Sequence, residues 1–238
     1  MMTGILYVIG TPIGNLGDIT LRALETLDKV EVLVCEDSRV ASRLVNLYRE
    51  KGLLHTTPRY LAYNEFNELR MAPEVVRLVS EGHVVGLVTD AGMPALSDPG
   101  YRAIRGVLDA RLPVQIVPGV TALTTALVWS ALGGEVFTYL GFLPKTSGKA
   151  DRLLATALRI WEDVPSARIA LYVSPHRLLK DLEAISRVMG EVRCTLCREL
   201  TKMHEERVEG TTSQLLQHYA TAGVKGEIVL VLAKESLD

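Results

Sequence analysis

Ile5-Leu6-Tyr7-Val8-Ile9, followed by Gly10-Thr11-Pro12-Ile13-Gly14-Asn15-Leu16-Gly17, is the stretch that decides the fold. The first five residues are a short apolar run and read as a buried strand. The next eight are a turn cluster with no helix in it. Asp18 is a plausible N-cap for a helix in which Ile19, Leu21, Leu24 and Leu27 fall near helical spacing. Val30–Cys35 reads as a second strand, and Ser38 as the cap of a helix reaching about Tyr48. A short strand over Arg59–Tyr63 and a helix over Glu68–Ser80 follow. The strand Val84–Thr89 then runs into a Gly- and Pro-rich loop, Asp90–Gly100. After a further helix comes the strand Val114–Val117, broken by Pro118-Gly119, and then an apolar helix over Val120–Leu132.

The second half repeats this alternation. Strands are expected at Phe137–Phe142, Ile169–Val173, Val192–Cys197 and Glu227–Leu232, and helices at Ala150–Trp161, Pro175–Met189 and Thr212–Ala222. Short β-branched runs alternating with amphipathic segments predict an α/β fold with a largely parallel sheet. The boundary is expected near 117–135, giving two α/β domains, 1–118 and 119–238. No period of 20–50 residues recurs, which argues against a solenoid.

The 238 residues are 48% hydrophobic and 23% charged, which excludes whole-chain disorder, collagen and coiled coil. The formal charge of −2 and a pI of about 6.2 leave only a local patch for any nucleic-acid grip. Three cysteines suggest a reducing compartment with no disulfide framework. Met1–Gly10 lacks the basic start of a signal peptide, and Val120–Leu132 is too short and interrupted to span a bilayer. A soluble cytoplasmic protein, with no membrane partner, is expected.

Ligands bind open α/β sheets outside the carboxyl ends of the strands. Three loops here follow strands: Gly10–Gly17, Asp90–Gly100 and Pro118–Ala122. All are rich in Gly, Pro and small residues, which lets a ligand approach the backbone closely. Neither G-x-G-x-x-G nor a Walker A sequence is present. The loops therefore look built for a compact ligand held by backbone groups.

These loops carry a resemblance. Gly10–Leu16, Glu36-Asp37-Ser38-Arg39, Asp90-Ala91-Gly92-Met93-Pro94 and Ser97-Asp98-Pro99-Gly100 resemble the ribosomal RNA small subunit methyltransferase I family. So do Pro118-Gly119, Gly141-Phe142-Leu143-Pro144, Ser174-Pro175-His176-Arg177, Arg198-Glu199-Leu200-Thr201-Lys202 with His204-Glu205-Glu206, and Lys225-Gly226-Glu227. The matching motifs run from residue 5 to about residue 232. That family belongs to the tetrapyrrole-methylase-like enzymes that use S-adenosyl-L-methionine (SAM). The resemblance implies two α/β domains with SAM folded into the cleft between them, a homodimer, and the small ribosomal subunit with its 16S rRNA as partner. The reaction it implies is methylation of the ribose 2′-hydroxyl of a cytidine in the decoding region, without a metal. The sequence departs from the family at Ser38, where Thr is common, and at Asn64-Glu65-Phe66, where His-Glu-His is common. A proton-transfer role for those histidines does not carry over. Many members also continue beyond the last strand, where this sequence stops at Asp238.

By the same resemblance the cofactor is lined by Pro12, Ile13, Asp90, Met93, Thr121, Ala122, Leu200, Gly226 and Glu227. Glu36, Asp37, His176 and Glu199 are the candidates for catalysis. Arg39, Arg177, Arg198 and Lys202 are the candidates for contacts to RNA phosphates, which dominate affinity for RNA. Each has a plainer alternative. Asp90 could cap a turn, and Glu36–Arg39 could be a helix-capping group with a local ion pair. His176 could simply open a helix, and Glu199 with Lys202 could be a surface ion pair.

Cys194 and Cys197 lie three apart in an expected strand, so they face opposite sides and cannot share a metal. Trp129 and Trp161 are expected in the core. Tyr60, Tyr63 and Phe66 could stack on a base. Three rival readings stay open: a methyltransferase of the same fold acting on a tetrapyrrole or other small molecule, a dinucleotide oxidoreductase, and a ribosome-binding protein without activity.

Overall fold

The computed structural model describes residues 4–234. Met1–Thr3, part of the stretch read above for a signal peptide, and residues 235–238 lie outside the described residues. The chain separates into two compact units, Met1–Thr121 and Ala122–Asp238.

In the first unit, the strands are β1 (Ile5–Ile9), β2 (Val32–Cys35), β3 (Arg59–Ala62), β4 (Val84–Leu87) and β5 (Val114–Val117). The helices are α1 (Leu21–Leu27), α2 (Ser38–Glu50), α3 (Glu68–Ser80) and α4 (Tyr101–Asp109). The strands form one sheet in the order β3-β2-β4-β1-β5, and every pairing is parallel. Helices cover both faces, which is why the strands read as unbroken apolar runs. Along β2, Val32 and Val34 pack with Val75, Leu78 and Val79 of α3 in one core cluster. Leu33 and Cys35 pack with Leu24 and Leu27 of α1 and Val45 and Tyr48 of α2 in another.

Two expected caps are displaced. Asp18 closes a single 3-10 turn, Leu16–Asp18, which begins inside the Gly10–Gly17 cluster read as free of helix, and the cap of α1 is Thr20, whose hydroxyl accepts from Ala23 N–H at 3.1 Å. The cap of α2 is Asp37 in place of Ser38, accepting from Arg39 N–H at 2.8 Å. Each is a neighbouring residue of the same capping type.

In the second unit, the helices are α5 (Ala122–Ser130), α6 (Ser147–Asp163), α7 (Leu178–Met189) and α8 (Thr212–Ala222). The strands are β6 (Phe137–Phe142), β7 (Arg168–Val173), β8 (Arg193–Arg198), β9 (Glu206–Thr211) and β10 (Ile228–Ala233). Their order is β6-β7-β10-β8-β9. Only β6 with β7 is parallel. The other three pairings are antiparallel, so the expectation of a largely parallel sheet fails in this unit. The cause is β9, a strand with no apolar alternation to announce it: Glu206-Arg207-Val208-Glu209-Gly210-Thr211. It is an edge strand held by charge, with Arg198 opposite Glu206 at 2.7 Å and Arg193 paired to Glu209. Charged side chains of this kind protect a sheet edge from further pairing.

Trp161 is fully buried and its Nε1–H donates to Ala167 O at 2.8 Å. Trp129 is only half-buried, because α5 is apolar all round and turns part of that surface outward, with Val128 83% exposed. Cys194 joins the core cluster with Leu196, whereas the Cys197 thiol points to Ala126 O of α5, on the opposite side of β8.

The carboxyl end of α5 meets two guanidiniums. Arg168, buried, donates to Leu132 O at 2.7 and 2.9 Å and to Ser166 O at 2.7 Å. Arg207 donates to Trp129 O at 2.9 Å and Ser130 O at 2.8 Å. Helix ends leave carbonyls without partners, and a cation there also opposes the helix dipole. Arg168→Met is expected to destabilise the protein by about 3 kcal/mol in denaturant titration, since it strands buried acceptors. No helix among the described residues is long and apolar enough to cross a membrane.

Candidate functional site

Because the first sheet is wholly parallel, the loops after β2, β4, β1 and β5 emerge side by side at one edge. Gly10 and Gly119 touch there, backbone to backbone. A Cβ on Gly10 would lie 2.7 Å from Gly119 N and 2.6 Å from Met93 Sδ, and one on Gly119 would lie 2.9 Å from Gly10 Cα. Thr11 and Gly92 exchange backbone hydrogen bonds of 2.9 and 3.2 Å, tying the loop after β1 to the loop after β4. The buried Thr11 hydroxyl adds a bond to Thr89 O at 3.2 Å. Gly92 and Gly100 have positive φ, and so do Ala95 and Ser97 at 66° and 65°. Left-handed backbone at residues with a Cβ is strain that the surroundings must hold in place.

Three carboxylates share this edge. Thr89 Oγ1–H donates to Glu36 Oε2 at 3.2 Å, and Asp37 N–H donates to Asp90 Oδ1 at 3.2 Å. Burial pushes the Glu36 carboxyl up, and the nearby Asp90 pushes it further, against the Thr89 bond. Burial likewise raises Asp90, against the bond from Asp37 N–H. Asp37 goes the other way, down to about 2, because the Arg39 guanidinium grips it at 2.6 and 3.0 Å. Arg39 itself is 86% exposed.

Pro12, Ile13 and Met93 belong to the same set of loops, and Ile13 is buried with its Cγ2 facing Gly92. Thr121 ends the first unit, after Pro118-Gly119. Of the three aromatics, Tyr63 is 1% exposed with its hydroxyl accepting from Ala103 N–H. The Tyr60 hydroxyl is buried without a partner among the described residues. Phe66 alone of the three is open to solvent, at 90% exposure.

In the second unit, the strand directions gather the remaining motifs at one end of the sheet. Val173 of β7 and Arg198 of β8 both pair with Ile228 of β10, Phe142 of β6 pairs with Tyr172, and Glu206 of β9 pairs with Arg198. The segments Gly141–Pro144, Ser174–Arg177, Arg198–Glu206 and Lys225–Glu227 therefore lie at the same end. Ala126 O and Ser130 O of α5 lie against Cys197 and Thr195, so α5 starts toward that end with Ala122.

Glu199, with φ of 50°, stands at the centre of this group. Its Oε1 accepts from Lys202 Nζ and from Glu227 N–H, both at 2.9 Å. Lys202 also reaches Glu227 Oε2 at 2.9 Å. Gly226, at φ of 92°, leaves the space that Glu199 fills, since a Cβ there would lie 2.5 Å from Glu199 Cδ. Burial acts to raise the Glu199 carboxyl, but the Lys202 and Glu227 bonds outweigh it and hold it below the ordinary range. Leu200 is buried beside it. Arg198 donates to Glu206 and to Lys225 O at 3.1 Å. His176 is exposed in the 3-10 turn Pro175–Arg177, and Arg177 binds Asp181 Oδ1 at 2.7 Å and Pro144 O at 3.1 Å.

Thr11, Thr89 and Glu206 were given no role from the sequence, although Thr11 and Glu206 stand within the matching motifs. A threonine at each of two strand ends, next to a Gly/Pro loop, was the available signal for the first two. Glu206 follows from Arg198 only once β9 is known.

A family model described as tetrapyrrole (corrin/porphyrin) methylases matches residues 5–216. A protein of Thermotoga maritima named ribosomal RNA small subunit methyltransferase I is 40% identical, over 97% of this chain and 98% of its own length. A protein of the same name from Hydrogenobaculum is 38% identical, over 97% of this chain and 96% of its own. Among solved structures, uroporphyrin-III C-methyltransferase of Thermus thermophilus, complexed with S-adenosylhomocysteine, superposes with a TM-score of 0.67. It covers 97% of this chain and 98% of that one at 17% identity, which is a likeness of fold. The chain belongs to the ribosomal RNA small subunit methyltransferase I family of the tetrapyrrole methylases.

Proposed function

We propose that this protein methylates small-subunit (16S) ribosomal RNA with SAM as donor, at the ribose 2′-hydroxyl of a cytidine in the decoding region. The observation that carries the reading is the near full-length similarity, at 40% identity, to a relative named for that RNA. The solved tetrapyrrole enzymes support only the fold, so a tetrapyrrole substrate is the weaker reading.

When bound, SAM supplies an electrophilic methyl group on a positively charged sulfur. The residues fit such a group: the exposed Asp90 carboxylate suits a cationic ligand with hydroxyls, and Ile13 and Met93 supply apolar walls. Gly10 against Gly119 keeps side chains out of the edge there. Pro12, Thr121, Ala122, Leu200, Gly226 and Glu227 are assigned to the same ligand on the family resemblance. Transfer to the hydroxyl would form an oxygen–carbon bond as the sulfur–carbon bond of the donor breaks. Alignment of the hydroxyl contributes roughly 7–11 kcal/mol to lowering the barrier.

The hydroxyl proton needs an acceptor, and we assign Glu36. Its carboxyl is raised above the ordinary glutamate range by burial and by Asp90, and it is oriented by Thr89, which suits a general base. Asp37, held low by Arg39, is a poor proton acceptor and serves to orient Arg39 and cap α2. Glu199 fixes Lys202 and the Gly226-Glu227 turn. His176 faces solvent, and its assigned part is contact with the RNA. Arg39, the most open of the four cations, takes a phosphate; Arg177, Arg198 and Lys202 shape the surface through their internal bonds. A cytoplasmic homodimer is part of the reading. Val128, Phe137 and Phe142 offer exposed apolar surface for the second copy.

The test is incubation with labelled SAM and unmodified small ribosomal subunits, followed by nuclease mapping and mass spectrometry. One 2′-O-methylcytidine in the decoding region is the expected product. Transfer to a tetrapyrrole and none to subunits would overturn the reading.

A further inference from the structure

Two motifs outside the Glu36–Asp90 edge, Gly141–Pro144 and Ser174–Arg177, meet at a cavity in the second unit. Its volume is about 400 Å³, and four cationic side chains line it against two carboxylates. Its floor is settled internally. Asp181, 3% exposed, is bound by Arg177 at 2.7 and 3.3 Å, and Arg177 ties α7 to the loop after β6 through Pro144 O. Burial raises the Asp181 carboxyl and the Arg177 guanidinium offsets that. The pair therefore contributes shape more than charge.

The rim is different. Lys145 follows Pro144, and Lys180 and Arg187 lie along α7. Arg187 is paired with Asp151 at 2.5 Å, but Lys145 and Lys180 are exposed and make no ion pair among the described residues. Glu183 is the carboxylate on the rim, and it too is exposed. A concave wall with two unpaired ammoniums over a neutralised floor suits an anion whose charge is spread over several oxygens.

We propose that this cavity binds a backbone phosphate of the RNA substrate, with Lys145 and Lys180 as the contacting groups and Arg177 as the residue that positions them. The inference rests on the rRNA reading and adds to it a second grip, remote in sequence from Arg39. A phosphate contact of this kind fixes register and carries no base specificity.

The experiment compares wild type, Lys145→Ala, Lys180→Ala, the double variant and a double Lys→Arg variant in binding to 16S rRNA across a salt series. Each lysine lost is expected to make the slope of log K against log salt shallower by about 1. The KM for subunits is expected to rise several-fold while SAM affinity stays at the wild-type value, and the Lys→Arg variant should keep the wild-type slope. Inorganic phosphate alone is titrated in parallel. An unchanged slope in the double alanine variant overturns the proposal. So does phosphate binding that the lysines control without any change in the slope for RNA, since that is a pocket for a free anion. Failure of wild type to methylate subunits would count against the function reading instead, and the RNA-binding slope would still decide the cavity.

Discussion

Glu36→Gln is expected to slow methyl transfer by about 10²–10⁴-fold while leaving SAM affinity near the wild-type value. That range is what a positioned general base contributes. Gln is nearly isosteric and its side-chain oxygen still accepts the Thr89 hydroxyl, so the loop geometry is kept and only proton uptake is lost. The wild-type rate should climb with pH as Glu36 deprotonates, with a midpoint above the ordinary glutamate range, because burial and Asp90 raise that carboxyl. The variant should lose this limb. Stability should move in the opposite sense. A carboxyl raised on folding penalises the native state as pH rises through its folded value, and the penalty is absent below the ordinary carboxylate range. Glu36→Gln should therefore be at least as stable as wild type at pH 7, and the two should converge in acid. A variant with wild-type turnover on subunits would remove Glu36 from the chemistry.

Asp90→Asn is expected to weaken SAM binding by about 10- to 100-fold, the loss of one or two hydrogen bonds to a charged group. Asn keeps an oxygen for Asp37 N–H, so the link between the loops after β2 and β4 persists. As with Glu36, burial raises this carboxyl, and removing its charge should leave thermal stability unchanged or higher at neutral pH. Calorimetric titration with SAM, alongside thermal melting, separates the two effects. Weak binding with a lowered melting temperature would mean a broken loop. Unchanged affinity would remove Asp90 from the ligand's contacts.

The strands of the first unit were legible because both faces of a parallel sheet are covered, so Val32–Cys35 and Ile5–Ile9 carry apolar runs that local pattern reading detects. Their adjacency was not. Glu36 and Thr89 are 53 residues apart, and only the pairing of β2 with β4 brings them together. In the second unit the apolar runs were again located, but their directions were not. A strand reads alike either way, and the hairpin partner β9 carries charges where an apolar alternation was sought. The loops were the most legible part of the candidate site, since Gly and Pro at strand ends are written locally. The internal bonds of Arg177, Arg198 and Lys202 depend on partners that sequence order does not reveal.

The meeting of Gly10 with Gly119 narrows the routes by which this edge can vary. Elsewhere in a core, a bulkier residue at one position can be accommodated when its neighbour shrinks. Here each glycine's neighbour has no side chain to give up, and an added Cβ meets main-chain atoms. The two positions can change only if the ends of β1 and β5 move apart together. Randomising both codons at once should therefore recover glycine at each in nearly every folded clone, with no compensating pairs among them.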